Sequence, residues 1–150
     1  MEKTNQNSEL LEIYKLHCEM ADRVSQRRSQ TNQFYITVLS ALIGILSLST
    51  SNEFRTYFNY MAIIGGLMGI FLCVIWIVNI RSYRQLNTAK FKTLHEVESR
   101  LSFQFYSEEW KHLGEGKDAK KYYQLTKIEQ FAPVLLSLPF ILLILLGFFK

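Results

Sequence analysis

The stretch FAPVLLSLPFILLILLGFF, Phe131–Phe149, decides how this chain is read. It holds 19 residues without a Lys, Arg, Asp or Glu. A helix of that composition has no polar side for water to wet, and about 20 apolar residues cross the hydrocarbon core of a bilayer. Working outward, two more blocks are equally free of charge: Phe34–Thr50, 17 residues, and Tyr57–Ile80, 24 residues. The 150-residue chain is 49% hydrophobic, an ordinary average, so the distribution carries the information. A soluble chain of this length cannot bury three such helices behind the polypeptide that remains. The fold class expected is an all-α integral membrane protein with three transmembrane helices, the first two extended into a cytoplasmic helical stalk or collar.

Domain organisation follows from charge. Residues 1–33 are polar and amphipathic, 34–80 form a membrane hairpin with spans at about 34–50 and 57–80, 81–130 are charged again, and 131–150 make the third span. Lys3, Lys15, Arg23, Arg27 and Arg28 precede the first block, Arg55 is the one basic residue of the 51–56 connector, and ten Lys and Arg lie in 81–130. Basic residues collect on the cytoplasmic side of a membrane. The N-terminus and 81–130 are therefore expected in the cytoplasm and 51–56 outside. The opening MEKTNQNSELLEIYK is polar, unlike a secretory leader, so the first block is expected to stay as an anchor. Pro133 and Pro139 remove two helix hydrogen bonds from the third block, which predicts a kinked span, with a re-entrant or interfacial segment as the other outcome.

The join between the first polar segment and the first apolar block has no Pro, and no Gly before Gly44. Leu10, Ile13, Tyr14, His17, Met20, Ala21 and Val24 recur at helical spacing, as do Tyr83, Leu86, Leu94, Val97 and Leu101. One helix from Ser8 to Leu48, about 60 Å long, is expected to run through the boundary. Gly114 and Gly116 mark a break, and Asp118 is placed to cap a helix over Ala119–Gln130.

Small residues mark sites of close helix approach in membranes. Gly65 and Gly69 form a G-x-x-x-G pair, with Ala62 and Gly66 offset by one, and Ser40, Ala41 and Gly44 repeat the spacing in the first block. These seven are the candidate helix-packing or oligomer contacts, within one chain or between chains. Asp22, Arg23, Arg27, Arg28, Arg81 and Arg84 are the candidate juxtamembrane charges. Anionic lipid headgroups are their simplest partners, and an Asp22 pairing to one of the arginines across subunits is the sharper alternative. Asn79 is the most polar side chain deep in a block, with Thr37 or another helix as its expected partner.

No Asp, Glu, His or Lys lies inside a block, so the mark of a proton relay or ion-coupled transporter is missing. His17, His95 and His112 lack metal-ligand spacing, no C-x-x-C or H-x-x-x-H occurs, and Cys18 and Cys73 sit in unrelated settings. His95, Glu96 and Glu98 read as a solvated face. No catalytic residue, cofactor or metal site is expected. The +4 net charge comes from basic residues interleaved with acids beside the membrane, so no nucleic-acid site is expected either.

The runs YKLHCEMADRVSQRRSQTNQFYITVLSALIG, RSYRQLNTAKFKTLHEVESRL, YSEEW and YYQLTKIEQFAPVLLSLPF, with EMADRVSQRR and LNTAKF the most specific pieces, resemble the RipA-family small octameric membrane proteins of bacteria. The likeness covers about Glu9 to Phe140. It implies an inner-membrane homo-oligomer, octameric and ring-like, and no catalytic residues. Two functions fit such a ring: a scaffold whose cytoplasmic collar binds a protein partner, and a pore or membrane-disrupting effector of stress or phage defence. Thr37, Ser40 and Ser47 would wet the first span in the second case, though no charged or carbonyl ring signals a selective filter.

Overall fold

The computed structural model describes residues 2–48, 57–118, 120–122 and 125–149. They form four α-helices, α1 Glu2–Leu48, α2 Phe58–Glu98, α3 Phe105–His112 and α4 Leu125–Phe149, with a 3-10 turn at Gly114–Gly116 and no strand among them. The connector 51–56, Ala119 and Lys150 lie outside the described residues.

The unbroken join predicted from sequence is present: α1 is one helix of 47 residues. α2 likewise runs on from the apolar block into RSYRQLNTAKFKTLHEVE for 41 residues. Among the described residues, two segments are long and apolar enough to cross a membrane, in Phe58–Glu98 and Leu125–Phe148. The first apolar block differs from these two. Within α1 it carries Thr37, Ser40, Gly44 and Ser47 among its leucines and isoleucines, and its last two residues fall outside the described chain.

The chain divides into two compact units, and α1 and α2 each contribute to both. The apolar unit comprises residues 29–81 and 126–150. Its core is Tyr35, Leu39, Leu42 and Leu46 of α1, Cys73, Trp76 and Ile80 of α2, and Phe140 of α4. Trp76, Phe140, Leu39 and Ile80 are fully buried. Among the described residues of this unit, two side-chain bonds join α1 and α2. Trp76 Nε1 donates to Asn32 Oδ1 at 2.8 Å, and Asn79 Nδ2 donates to Tyr35 Oη at 2.8 Å. The Tyr35 ring stacks on Trp76 with centroids 5.6 Å apart and an interplanar angle of 11°. An indole N–H or amide taken into an apolar setting without a partner costs several kcal/mol, and here each has one. Asn79 therefore meets Tyr35, two residues before the Thr37 expected from sequence.

Glycine sets how closely the helices pack. A Cβ at Gly69 would overlap the Phe140 ring, one at Gly65 would overlap Leu46, and one at Gly66 would stand 2.9 Å from the Phe140 carbonyl oxygen. α4 contains both Pro133 and Pro139 without a break in the helix, and Ser137 Oγ donates to the Val134 carbonyl oxygen at 2.7 Å.

The charged unit comprises residues 1–28 and 82–125. Its apolar centre is small: Ala21, Val24 and Leu94 are buried. The predicted apolar face of α1 is narrower than the periodicity suggested, since Ile13 and Met20 are exposed, and Leu86 of α2 is exposed as well. The glycine break is confirmed by three successive left-handed residues, Gly114, Glu115 and Gly116, with φ of 67°, 54° and 69°. Asp118 Oδ1 accepts the Lys120 N–H at 2.9 Å. That bond closes a turn and does not start the helix expected over Ala119–Gln130; α4 starts at Leu125.

Glycine contact predicts a sharp contrast. Gly66→Ala and Gly69→Val should lower the thermal unfolding midpoint in detergent, with overpacking worth about 1–3 kcal/mol each. Gly44→Ala, which meets nothing within 4 Å, should leave it unchanged or raise it, because Ala outranks Gly in a helix by about 1 kcal/mol. Equal midpoints for all three variants would contradict the packing described.

Candidate functional site

The most concentrated polar arrangement lies in the charged unit, around Glu98. This residue ends α2 and is fully buried, although HEVE read as a solvated face. The correction has a visible cause. Glu98 is one helical turn beyond buried Leu94, on the same side of α2, so it enters the interior with Leu94.

Three donors meet its carboxylate. Tyr14 Oη donates to Oε1 at 2.7 Å, the Tyr106 backbone N–H donates to Oε1 at 2.9 Å, and the Ser107 N–H donates to Oε2 at 3.2 Å. The N-cap residue of α3, Gln104, makes no side-chain capping bond. Glu98 takes that role from a different helix. The first N–H groups of a helix lack intrahelical partners, and the positive end of the helix dipole favours an anion. The chain between Glu98 and α3 is a tight reversal, closed by Ser99 N–H to the His95 carbonyl oxygen at 3.0 Å and Leu101 N–H to the Glu98 carbonyl oxygen at 2.9 Å. Glu98 thus fastens α3 and, through Tyr14, α1.

The tyrosines around it feel that environment. Burial, then the hydrogen bond to Glu98, raises the Tyr14 hydroxyl far above tyrosine's usual range. Tyr106 is pushed up to about 12, first by burial and then by Cys18 and the charges of Asp22 and Glu109. Cys18 is a half-buried free thiol beside both rings.

The candidate contact residues separate into two groups. Ala62 is buried, and Gly65, Gly66 and Gly69 sit against α1 and α4 of the same chain. Their packing is intramolecular. Ser40, Ala41 and Gly44 are exposed on α1. Around them Gln33, Thr37 and Ser47 are exposed too, together with Ile36, so this side of α1 mixes small and polar residues with an apolar one, and exposed Phe34 and Ile45 flank it. The exposed residues of α2 and α4 in the same unit are large and apolar, among them Ile64, Leu67, Phe71, Val78, Leu138 and Leu142.

Of the juxtamembrane charges, Arg23 pairs with Glu19 at 2.7 Å, one turn away on the exposed side of α1. Asp22, Arg27, Arg81 and Arg84 are exposed and Arg28 is half-buried. Surface ion pairs like Arg23–Glu19 contribute little to stability.

The family model described as the octameric membrane protein family (8xMP) matches residues 11–149. No curated protein and no solved structure matches the chain.

Removing the Glu98 carboxylate should loosen α3 selectively. Glu98→Ala leaves two backbone donors without their acceptor, a cost of about 1–3 kcal/mol, and should raise amide hydrogen exchange at 105–107 with the apolar unit unaffected. Unchanged protection there would show that α3 is held by something else. The tyrosines add a pH dependence. The folded chain keeps both protons to higher pH than the unfolded chain, so their contribution is complete below about pH 10; that of Tyr106 is lost as pH rises from there through about 12, and that of Tyr14 at higher pH still. Tyrosinate absorbance should grow together with loss of α3 protection above pH 10.

Proposed function

Because the chain belongs to the octameric membrane protein family, we propose that it is a non-enzymatic homo-octamer of the bacterial inner membrane that acts as a ring-like scaffold. The α1–α2 hairpin and α4 hold each subunit in the bilayer in three spans, with the N-terminus cytoplasmic. The charged unit forms a cytoplasmic helical collar that engages a protein partner. The arrangement that carries this reading is the charged unit itself. It is built from the polar ends of two long helices and fastened by a buried carboxylate, and its deepest chemistry is spent on structure: Glu98 is saturated by donors from α1 and α3. Closed ring assembly is the ordinary outcome for identical subunits. Arg27, Arg81 and Arg84, exposed beside the apolar blocks, suit anionic lipid headgroups at the cytoplasmic surface.

A pore is the second reading, and one feature favours it. The exposed side of α1 bearing Gln33, Thr37, Ser40, Gly44 and Ser47 carries more small and polar residues than the exposed sides of α2 and α4, although Ile36 lies among them and Phe34 and Ile45 flank them. Eight such faces turned to a common axis would line a weakly polar channel.

The test begins with mass. Light scattering of the detergent-solubilised protein should give roughly 140 kDa of polypeptide, eight copies of the 17.6 kDa chain, and single-particle images should show a closed ring. A monomer or dimer would end both readings. Proteoliposomes then separate them: no ion flux supports the scaffold, and flux reduced by Ser40→Phe supports the pore. A protease-cleavable N-terminal tag should be cut in inverted vesicles and protected in right-side-out cells. The opposite result would reverse the topology.

A further inference from the structure

We infer that the collar closes head-to-tail: the exposed apolar stripe Ile13–Leu16–Met20 on α1 of one copy is covered by the Phe103–Phe105 aromatic pair of the next. This inference rests on the octameric assembly proposed above and adds which surfaces meet. Among the large apolar side chains that the charged unit exposes, which also include Leu11, Leu86, Trp110 and Leu125, two sets form compact clusters left open by the described residues. On α1, Ile13, Leu16 and Met20 follow a spacing of three and four, so they share one side of the helix, and Leu16 is 56% exposed. Just before and at the start of α3, Phe103 and Phe105 are 55% and 67% exposed, and their rings meet edge to face at 4.5 Å between centroids.

Lipid is a poor occupant for either set. The α1 stripe is interleaved with exposed Glu9, Glu12, Lys15, Glu19 and Arg23, and exposed Arg100 stands three residues before Phe103. Apolar side chains set among charges on a water-compatible surface mark a protein contact. A second copy is the occupant that family membership supplies.

Geometry favours a head-to-tail contact over a symmetric one. Tyr14 and Cys18 are the α1 residues that face α3, through Glu98 and Tyr106. Leu16 is two residues beyond Tyr14 and Met20 two beyond Cys18, about 200° further round the helix in each case. The stripe therefore points away from the side of α1 on which α3 packs. A cyclic ring needs two different, non-overlapping patches on each subunit, so that each copy offers one and receives the other. Charge is compatible: beside the stripe stand Glu9, Glu12 and Lys15, with Glu19 and Arg23 paired to each other, so its rim is acidic on balance, and Arg100 borders the aromatic pair. Opposite charges at the rim of an apolar contact fix register.

Cysteine cross-linking in membranes tests the contact. In a Cys18→Ser, Cys73→Ala background, Leu16→Cys is combined with Phe103→Cys, and separately Met20→Cys with Phe105→Cys. Copper-phenanthroline oxidation and a non-reducing gel are the readout, and light scattering of the unoxidised protein runs in parallel. A covalent ladder reaching eight copies from at least one pair, with no cross-link from any of the four cysteines alone, is the expected result. Dimers from Leu16→Cys or Met20→Cys alone would mean that α1 meets its own copy symmetrically and would overturn the head-to-tail contact. Absence of a ladder from both pairs, in protein of octameric mass, would overturn it as well. A ladder from particles of another mass would keep the contact and remove the octamer.

Discussion

Everything in the apolar unit depends on one constraint: in hydrocarbon, a polar group without a partner inside the protein has none at all. The backbone meets it by forming helices, and the two segments long and apolar enough to cross a membrane, in α2 and α4, are helical throughout. The side chains meet it in pairs. Trp76 and Asn79 bring N–H groups to the contact of α1 and α2, and Asn32 and Tyr35 on α1 accept them. Those two bonds, with the stacked Tyr35 and Trp76 rings, fix the register of the two helices at this level. The remaining contact is dispersion, which needs close approach. Gly65, Gly66 and Gly69 supply it by letting Leu46, Phe140 and Ile144 reach the α2 backbone. A hydrophobic driving force between helices is absent in lipid, so bonds and shape carry the specificity.

The charged unit works under the opposite constraint. Water can satisfy its polar groups, but its apolar centre is too small to hold a short helix in place. α3 has eight residues, well under the length at which an isolated helix is stable. Glu98 supplies what packing does not. A carboxylate accepting two N–H groups at the helix start and a hydroxyl from α1 ties three elements together with one side chain. Breaking such a buried arrangement from one side is costly, since the groups left behind have no water to turn to. The protein thus stabilises one unit mainly by contact and the other by a polar fastening.

Much of this was legible in the sequence, and the misses have a common origin. The apolar blocks, the hinge-free α1 and the glycine break at 114–116 are statements about the chain alone, and pattern suffices for them. Glu98 was misread because a charged residue next to His95 and Glu96 looks solvated; only its spacing from Leu94 pointed inward. Ile13 and Met20 fit the periodicity of a buried face, yet they stay exposed among the described residues. The two small-residue motifs show the same limit. G-x-x-x-G in α2 and Ser40, Ala41, Gly44 in α1 are alike as patterns, but α1 and α4 fill the first, while the second stays open.

That last difference bears on what an assembly of these subunits would enclose. The surface of the apolar unit is uneven in chemistry: large apolar side chains dominate α2 and α4, whereas α1 mixes exposed Gln33, Thr37, Ser40, Gly44 and Ser47 with exposed Phe34, Ile36 and Ile45. A monomer in a bilayer would expose both kinds to lipid, and the α1 face would gain less from it. In a ring, the α2 and α4 faces can keep their lipid contact while the α1 face turns to a neighbour or to a central space. Small side chains permit close backbone approach in the first case and leave room for water in the second. The collar contact leads to the same requirement from the other unit. Ile13, Leu16 and Met20 are exposed apolar residues set among charges, and Gln33, Thr37, Ser40 and Ser47 are exposed polar residues set among apolar ones. Both sets lie on the same long helix, α1, and a neighbouring copy seated along it would cover both.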